Sequence, residues 1–420
     1  MHWQCTILQK TTNQIIIIKE MEMENFDIVV AGHICLDVTP KFLSPRGTQP
    51  KDLFIPGKLV NMGEVNISTG GPVSNTGIAL QKMGIKTKLM SKVGDDLFGS
   101  GIIKLLKERG NHEGMITMEG EHTSYTIVIV PPGIDRIFLH NPGANNTFVA
   151  NDVDYEFVRK AKLFHFGYPP LMRNMYLNDG EELGKMFKRV KELGVTTSLD
   201  MSIPDRNSES GKINWHKALE KTLPHVDLFL PSYEEIIYMV APDKFEQMGG
   251  ISNPHDLLEH FDADLLHELS EKLLAFGAKI VAIKCGEKGF YVRTQNTEGL
   301  SKIGKAKPAD LENWASREIL EESYHVKEIA SATGSGDSSI GGFLSSYMKG
   351  LTIEKTIKMA CSVGAQNITR FDAISGIKDW EYTIDFVKRN PSKNKQQLES
   401  NSWKYAREHQ HWIGKNDINY

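Results

Sequence analysis

A short glycine-rich segment in the last quarter of the chain carries the residue types that phosphate chemistry needs. Residues 333–337 are Thr-Gly-Ser-Gly-Asp, and the pattern of a buried helix follows them. A glycine turn that opens a helix exposes backbone N–H groups at the positive end of the helix dipole, which suits a phosphate. A carboxylate at the same place can accept the proton of an attacking alcohol. The segment predicts a phosphoryl-transfer site, with Gly334, Ser335 and Gly336 in the anion-binding turn and Asp337 as the base.

A second motif lies far upstream, at residues 68–84. Gly70 and Gly71 let a ligand approach the backbone closely because neither residue has a Cβ atom. Asn75, one turn into the helix that follows, can donate and accept hydrogen bonds, which suits sugar hydroxyls. The simpler interpretation of this motif is a helix start with a C-terminal stop at Gly84, and that of the downstream motif is a glycine turn with a helix-capping aspartate.

Alternating strand and helix patterns between the two motifs predict the fold. Predicted strands occupy residues 26–32, 88–93, 162–166, 196–200, 227–230 and 279–284. One predicted helix opens at residues 70–71 and runs to 83, others occupy 97–109, 181–193, 234–239 and 267–276, and two more start at 337 and 353. Such alternation predicts an α/β protein with a mostly parallel sheet covered by helices on both faces.

Two polar regions, about residues 45–67 and 120–145, interrupt the alternation. The first contains strand-like pieces at 53–55 and 58–60 around Pro56-Gly57. The second has strand-like pieces at 126–130 and 136–140 that flank Pro132-Gly133, which predicts a hairpin. Together the two regions predict a small β lid.

The rest of the chain is divided by composition. We expect a flexible extension over residues 1–24, one large domain over 25–376 with polar insertions at about 241–262 and 294–324, and a charged C-terminal extension over 377–420. Three of the six tryptophans lie in that last extension, which predicts that it docks on the body or on a partner.

Composition and residue spacing argue against several classes of protein. A net charge of −4 argues against a broad nucleic-acid surface. The four cysteines include no Cys-x-x-Cys pair, so a disulfide scaffold or a cysteine-based zinc site is not expected and a reducing cytoplasm fits. No apolar run reaches the roughly 18 residues that a membrane helix requires. A dinucleotide site is not expected either, because no β-α-β unit follows the glycines.

The two motifs, in this order and at this separation, resemble those of the ribokinase-like (PfkB) carbohydrate kinases over about residues 26–376. The resemblance implies a ribokinase-like fold, a sugar-contact motif at Gly70, Gly71 and Asn75, and a catalytic base at Asp337. It also implies that Asp37, after the first strand, and Asn141, in the lid, contact the sugar.

The resemblance extends to the nucleotide side. It implies that ATP is bound near Lys284, Gly286, Gly289, Thr333 and Asn367, which form or follow glycine turns and helix ends. It further implies that Mg²⁺ is held through water by Glu235, the last residue of the family's Asn-x-x-Glu motif.

Two departures from the family pattern affect bound ions. Ser232 replaces the usual Asn before Glu235, which weakens the magnesium prediction. Ser331 and Ala332 replace an Asp-Thr pair whose Asp helps bind a monovalent cation in relatives, so cation dependence stays open.

The resemblance implies a cytoplasmic, ATP-dependent kinase that phosphorylates a hydroxyl of a sugar or sugar derivative, without a nucleic-acid or membrane partner. Two alternatives stay open: a nucleoside kinase of the same fold and a catalytically silent sugar or nucleotide sensor. Because lids in this family often pair between subunits, a homodimer formed through the lid is also expected.

Overall fold

A computed structural model describes residues 26–43, 48–131, 136–249, 254–398 and 400–420. The predicted extension over residues 1–24 lies outside the described residues, as do short parts of both predicted lid regions at 44–47 and 132–135. None of the described helices combines the length and the apolar character needed to cross a membrane.

The described residues form fifteen strands, numbered here in chain order. They are β1 Ile28–Gly32, β2 Cys35–Phe42, β3 Met62–Gly70, β4 Thr87–Gly94, β5 Gly114–Met118, β6 Tyr125–Ile129, β7 Ile137–Asn141, β8 Leu163–Gly167, β9 Thr196–Asp200, β10 Leu228–Phe229, β11 Ile280–Lys284, β12 Phe290–Thr294, β13 Glu318–Glu321, β14 Trp403–Ala406 and β15 His411–Gly414.

Fourteen α-helices accompany these strands in the described ranges. They are α1 Pro50–Leu53, α2 Pro72–Lys82, α3 Leu97–Lys107, α4 Tyr155–Val158, α5 Arg173–Glu192, α6 Trp215–Thr222, α7 Tyr233–Val240, α8 Pro242–Gln247, α9 Ala263–Ala275, α10 Thr297–Ser301, α11 Leu311–Trp314, α12 Ser335–Met348, α13 Ile353–Asn367 and α14 Trp380–Lys388. Non-helical backbone at residues 177–180 interrupts α5.

The main sheet has eleven strands in the order β14-β15-β13-β12-β11-β10-β9-β8-β1-β4-β5. Seven neighbours, from β5 to β11, run parallel, and the strands from β11 outward to β14 are antiparallel. Alternate residues of β1 belong to two different hydrophobic clusters, with Val29 and Ala31 in one and Ile28 and Val30 in the other. Helices therefore cover both faces of the sheet, and the predicted α/β architecture is confirmed.

A separate four-stranded sheet, in the order β3-β2-β6-β7, forms the lid. The predicted hairpin is present as β6 and β7. The strand pieces predicted at 53–55 and 58–60 are wrong, because residues up to Leu53 form helix α1 and the lid strand is β3. In β3 the alternating apolar residues Val65 and Ile67 are each 50% exposed, so this strand lacks the apolar core pattern used to find the others.

The lid carries further exposed apolar residues, among them Phe138 and Leu139 on β7. A homodimer formed through the lid stays a prediction.

The C-terminal segment completes the edge of the main sheet. Strand β15 pairs with β13, and β14 pairs with β15. Trp403 is buried, and its ring packs edge-on to that of Tyr291. Residues 294–324 supply β13 as well as α10 and α11. The C-terminal extension thus docks on the body of its own chain.

A buried ionic network joins this segment to the domain. Arg317 Nε donates to Asp417 Oδ2 at 3.0 Å, and Arg317 Nη1 donates to Glu354 at 2.6 Å. The Asp417 carboxylate also accepts the backbone N–H of Glu318 at 2.9 Å. The side chains of Arg317 and Asp417 are 2% and 0% exposed, so neither charge can be solvated if its partner is removed.

We expect Asp417→Asn to lower the free energy of unfolding by about 3 kcal/mol, because an amide replaces the buried carboxylate that accepts from Arg317 and from the Glu318 N–H, and only Glu354 remains as a counter-charge to Arg317. Urea unfolding followed by circular dichroism measures the change. Asp385→Asn is the matched control: its partner Lys388 and Asp385 itself are largely exposed, and we expect a loss under about 0.5 kcal/mol. Equal losses in the two variants would contradict a structural role for the network.

Candidate active site

The candidate site lies at the carboxyl ends of the parallel strands. Tyr168 follows β8, Asp200 ends β9 and Lys284 ends β11. Helix α12 begins at the same edge, with Asp337 in its first turn. Because parallel strands all end on one side of the sheet, polar residues from distant parts of the sequence meet there.

Asp337 lies at the centre of a hydrogen-bond network that joins the two sequence motifs. Asn75 Nδ2 donates to Asp337 Oδ2 at 3.0 Å, and the Tyr168 hydroxyl lies 3.1 Å from both carboxylate oxygens. Asp337 is 2% exposed, and burial raises the pKa of its carboxyl, while the donors and the nearby Lys284 act in the opposite direction. The carboxylate is therefore fixed in position but less stabilised as an anion than it would be in water.

Tyr168 was not identified from the sequence. Burial and the neighbouring Asp337 carboxylate raise the pKa of the Tyr168 phenol well above its usual value, so the hydroxyl keeps its proton and donates. The backbone of Tyr168 has φ 65° and ψ 46°, a left-handed conformation that residues other than glycine rarely adopt. This conformation aims the ring at Asp337, and no residue pattern in the sequence signals it.

The glycine turn before α12 is a tight structure. Gly334 has φ 74°, and a Cβ atom there would lie 2.4 Å from the Cβ of Ala373. The Ser335 N–H donates to the Ala332 carbonyl at 3.1 Å. This N–H group is therefore already hydrogen-bonded, whereas the sequence predicted that it would be available to bind an anion. The next two N–H groups, of Gly336 and Asp337, belong to the first helical turn and have no intrahelical acceptor.

Lys284 places a positive charge beneath this turn. A Cβ atom at Gly336 would lie 3.4 Å from Lys284 Cδ. Lys284 Nζ forms an ion pair with Asp200 Oδ1, and both side chains are largely buried. Burial alone would lower the pKa of Lys284, but the Asp200, Glu235 and Asp337 carboxylates raise it. The lysine is therefore charged and positioned to attract phosphate.

Asp200 was not identified as a site residue from the sequence either. A signal was present, because Asp200 is an acidic residue at the end of a predicted buried strand. Its Oδ2 atom is buried and has no polar partner among the described residues. Glu235 lies nearby at the start of α7, where it forms a capping box with Ser232: the Ser232 N–H donates to Glu235 Oε2 at 2.6 Å. Ser232, the departure from the family pattern, thus serves as a helix cap.

The predicted sugar-contact residues lie where the lid meets the body. Asp37 is on lid strand β2, and a Cβ atom at Gly70 would lie 2.3 Å from its carboxylate. Burial raises the pKa of Asp37 to about 6. Gly71 has φ 84° and packs against the His33 carbonyl, where a Cβ atom would lie only 2.6 Å away. Gly71 therefore needs to be glycine both for its conformation and for space.

A cleft of about 1120 Å³ lies beside the Asp337 hydrogen-bond network. Its lining includes the predicted acceptor residue Asp37 and Thr333, which is next to the glycine turn. Lid residues and the loop 371–375 form its walls, and Arg136 from the lid donates to the Phe371 carbonyl. The cleft is large enough for a small acceptor and a phosphate chain together.

Four of the predicted residues have contacts with nearby backbone instead. Asn141 accepts a hydrogen bond from the Gly143 N–H at 2.8 Å, and Asn367, at the end of α13, donates to the Ala373 carbonyl. Gly286 and Gly289 form the turn between β11 and β12, where Gly289 packs against the Glu321 carbonyl. A direct ligand role for these four residues stays a prediction.

The turn at Gly334 generates a stability prediction that does not depend on activity. Gly334→Ala should lower the free energy of unfolding by about 2–4 kcal/mol, because it combines left-handed backbone strain with the clash at Ala373. Gly194→Ala is the matched control, since Gly194 has φ 71° and open space around its Cβ position. It should cost about 1 kcal/mol. Indistinguishable melting curves for the two variants would show that the turn is not tightly packed.

Known proteins share both the sequence pattern and the fold. Residues 26–380 match the pfkB family carbohydrate kinase profile. A sugar kinase of Archaeoglobus fulgidus described as uncharacterized is 24% identical over 71% of this chain and 98% of its own length. Fructokinase-2 of Solanum lycopersicum is 24% identical over 76% of this chain and 87% of its own length.

Among solved structures, Arabidopsis thaliana ribokinase complexed with ribose and ATP superposes with a TM-score of 0.62. It is 18% identical, and the match covers 86% of this chain and 99% of the ribokinase. Since the family profile spans most of the chain and the ribokinase fold is present, the chain belongs to the pfkB family of carbohydrate kinases, phosphotransferases that act on an alcohol group.

Proposed function

We propose that this sugar kinase transfers the γ-phosphate of ATP to a hydroxyl of a sugar or sugar derivative, with Asp337 as the general base. The main support for the proposal is the hydrogen bond between Asn75 of the upstream motif and Asp337, at the N-terminus of α12. This contact brings the anion-binding turn and the predicted sugar motif together at one carboxylate.

The chemistry of Asp337 follows from its environment. One acceptor hydroxyl points at the carboxylate, and its proton moves to Asp337 as the oxygen attacks the γ-phosphate. Tyr168 and Asn75 hold the carboxylate in a single orientation. Burial, which raises the pKa of Asp337, makes the carboxylate a better base than an exposed aspartate.

Charge on the transferred phosphate is balanced by the first turn of α12 and by Lys284. The N–H groups of Gly336 and Asp337 point out of the helix end, and the Lys284 ammonium lies under the same turn. Magnesium fits this site, because the unpartnered Asp200 Oδ2 and the Glu235 carboxylate are oxygen donors of the kind that Mg²⁺ prefers, directly or through water. A bound Mg²⁺ neutralises nucleotide phosphate charge.

The acceptor side supports a polyhydroxylated substrate. Asp37, Gly70 and Gly71 line the junction of lid and body, and Asn75 Oδ1 is buried without a polar partner among the described residues. The two sequence relatives described above are named as a sugar kinase and a fructokinase, which favours a sugar over a nucleoside as the acceptor.

The experiment that tests the proposal is ADP release from Mg-ATP with a panel of sugars, sugar acids and nucleosides. We expect one class of acceptor to stimulate release, and Asp337→Asn to lower kcat at least about 100-fold while acceptor binding persists, because the variant loses only the base. Asp385→Asn, at an exposed helix position, is the control and should keep normal kcat. Near-normal kcat in Asp337→Asn would remove this residue from the role of base.

Tyr168 generates a prediction on pH dependence. Its hydrogen bond favours the ionised form of Asp337, so Tyr168→Phe should raise the pKa of that carboxyl further. Because the base must be ionised, the acidic limb of the kcat profile should move to higher pH. Tyr420→Phe, which removes a hydroxyl at the exposed C-terminal residue, is the control. A limb that stays in place or moves to lower pH would contradict this role of Tyr168.

A further inference from the structure

Three side chains that bind transition metals converge beside the acceptor end of the cleft. They are His33, directly after β1, Cys35 at the start of β2, and His140 on lid strand β7. One ligand atom from each lies within 4.8 Å of the other two. No sequence pattern indicates this cluster, because its two histidines are 107 positions apart.

The spacing of the two histidines matches that of ligands on one ion. His33 Nε2 and His140 Nε2 are 3.2 Å apart. Zinc–nitrogen bonds are about 2.0–2.1 Å, so two nitrogens at tetrahedral positions are separated by about 3.3 Å. Cysteine sulfur is also a common zinc ligand, and the third ligand here is the buried thiol of Cys35.

Neighbouring groups orient these ligands. The Thr126 hydroxyl lies 3.0 Å from His140 Nδ1 and 3.5 Å from Cys35 Sγ. If His140 Nδ1–H donates a hydrogen bond to the hydroxyl oxygen, the lone pair of His140 is on Nε2, which faces His33. Such outer contacts are typical of metal-binding histidines.

We propose that His33, Cys35 and His140 form a binding site for a divalent transition metal such as Zn²⁺, with the fourth tetrahedral position left to water. On binding, the Cys35 thiol loses its proton to solvent and both imidazoles bind as neutral ligands. Three protein ligands with one open position distinguish such a site from a closed structural zinc site.

The site is coupled to the predicted acceptor residue Asp37. In the metal-free chain the Cys35 thiol donates to Asp37 Oδ1 at 3.3 Å. Metal binding removes that donor and places a cation two residues from Asp37, at the end of the cleft where the acceptor is proposed to bind. Zn²⁺ therefore competes with the acceptor, a consequence that rests on the proposed function, whereas metal binding itself does not.

Titration of the full chain with Co²⁺ tests the site directly. We expect the visible absorption of tetrahedral Co²⁺ together with a near-ultraviolet thiolate-to-cobalt band, and Zn²⁺ should displace both. Cys35→Ser should lose the thiolate band, and His140→Ala, on an exposed strand where folding tolerates the change, should lower Co²⁺ affinity at least about 10-fold. Cys361→Ser, Cys5→Ser and His409→Ala are controls that alter other thiols and an exposed histidine, and their spectra should match the unmodified chain.

Octahedral cobalt spectra, or spectra unchanged by Cys35→Ser, would overturn the site and leave the two histidines as a hydrogen-bonded pair. Zn²⁺ should also raise the apparent KM for the acceptor without changing that for ATP, and an unchanged acceptor KM would overturn the competition. A cobalt site without kinase activity would contradict the proposed function alone, and activity without a cobalt site would contradict the metal proposal alone.

Discussion

The structure depends on keeping one carboxylate buried at the N-terminus of a helix. Asp337 is almost fully enclosed, and an isolated buried anion would be strongly unfavourable. Hydrogen bonds from Asn75 and Tyr168 and the nearby charge of Lys284 offset that cost. Because these groups come from three distant segments, the site exists only when the whole sheet is assembled.

The architecture supplies this assembly in layers. Parallel strands bring Tyr168, Asp200 and Lys284 together at their carboxyl ends, and helices pack on both faces of the sheet. The lid strands β2 and β3 leave the body next to the carboxyl ends of these strands, and their residues Asp37 and Thr69 line the cleft. The C-terminal strands β15 and β14 extend the main sheet beyond β13, and the Arg317–Asp417 ion pair joins this segment to the domain.

Sequence patterns predicted the fold and the two motifs because both depend on local features: apolar periodicity, and glycines that precede a helix. They also placed Asn75 and Asp337 in one active site, which agrees with their hydrogen bond. They missed Tyr168, whose role depends on a left-handed backbone conformation, and β3, whose apolar residues Val65 and Ile67 are half exposed and so lack the pattern of a core strand. The engaged N–H of Ser335 and the His33–Cys35–His140 cluster depend on three-dimensional contacts that no spacing reveals.

Asp337 can act as the base only if an acceptor hydroxyl reaches its carboxylate. A crystal structure with a non-hydrolysable ATP analogue and the acceptor identified by ADP release would locate that hydroxyl. We expect one acceptor hydroxyl within about 3 Å of an Asp337 carboxylate oxygen, in line with a γ-phosphate bound at the N-terminus of α12. An acceptor whose hydroxyls all lie out of reach of Asp337, in a complex with the nucleotide bound and the lid closed, would contradict it.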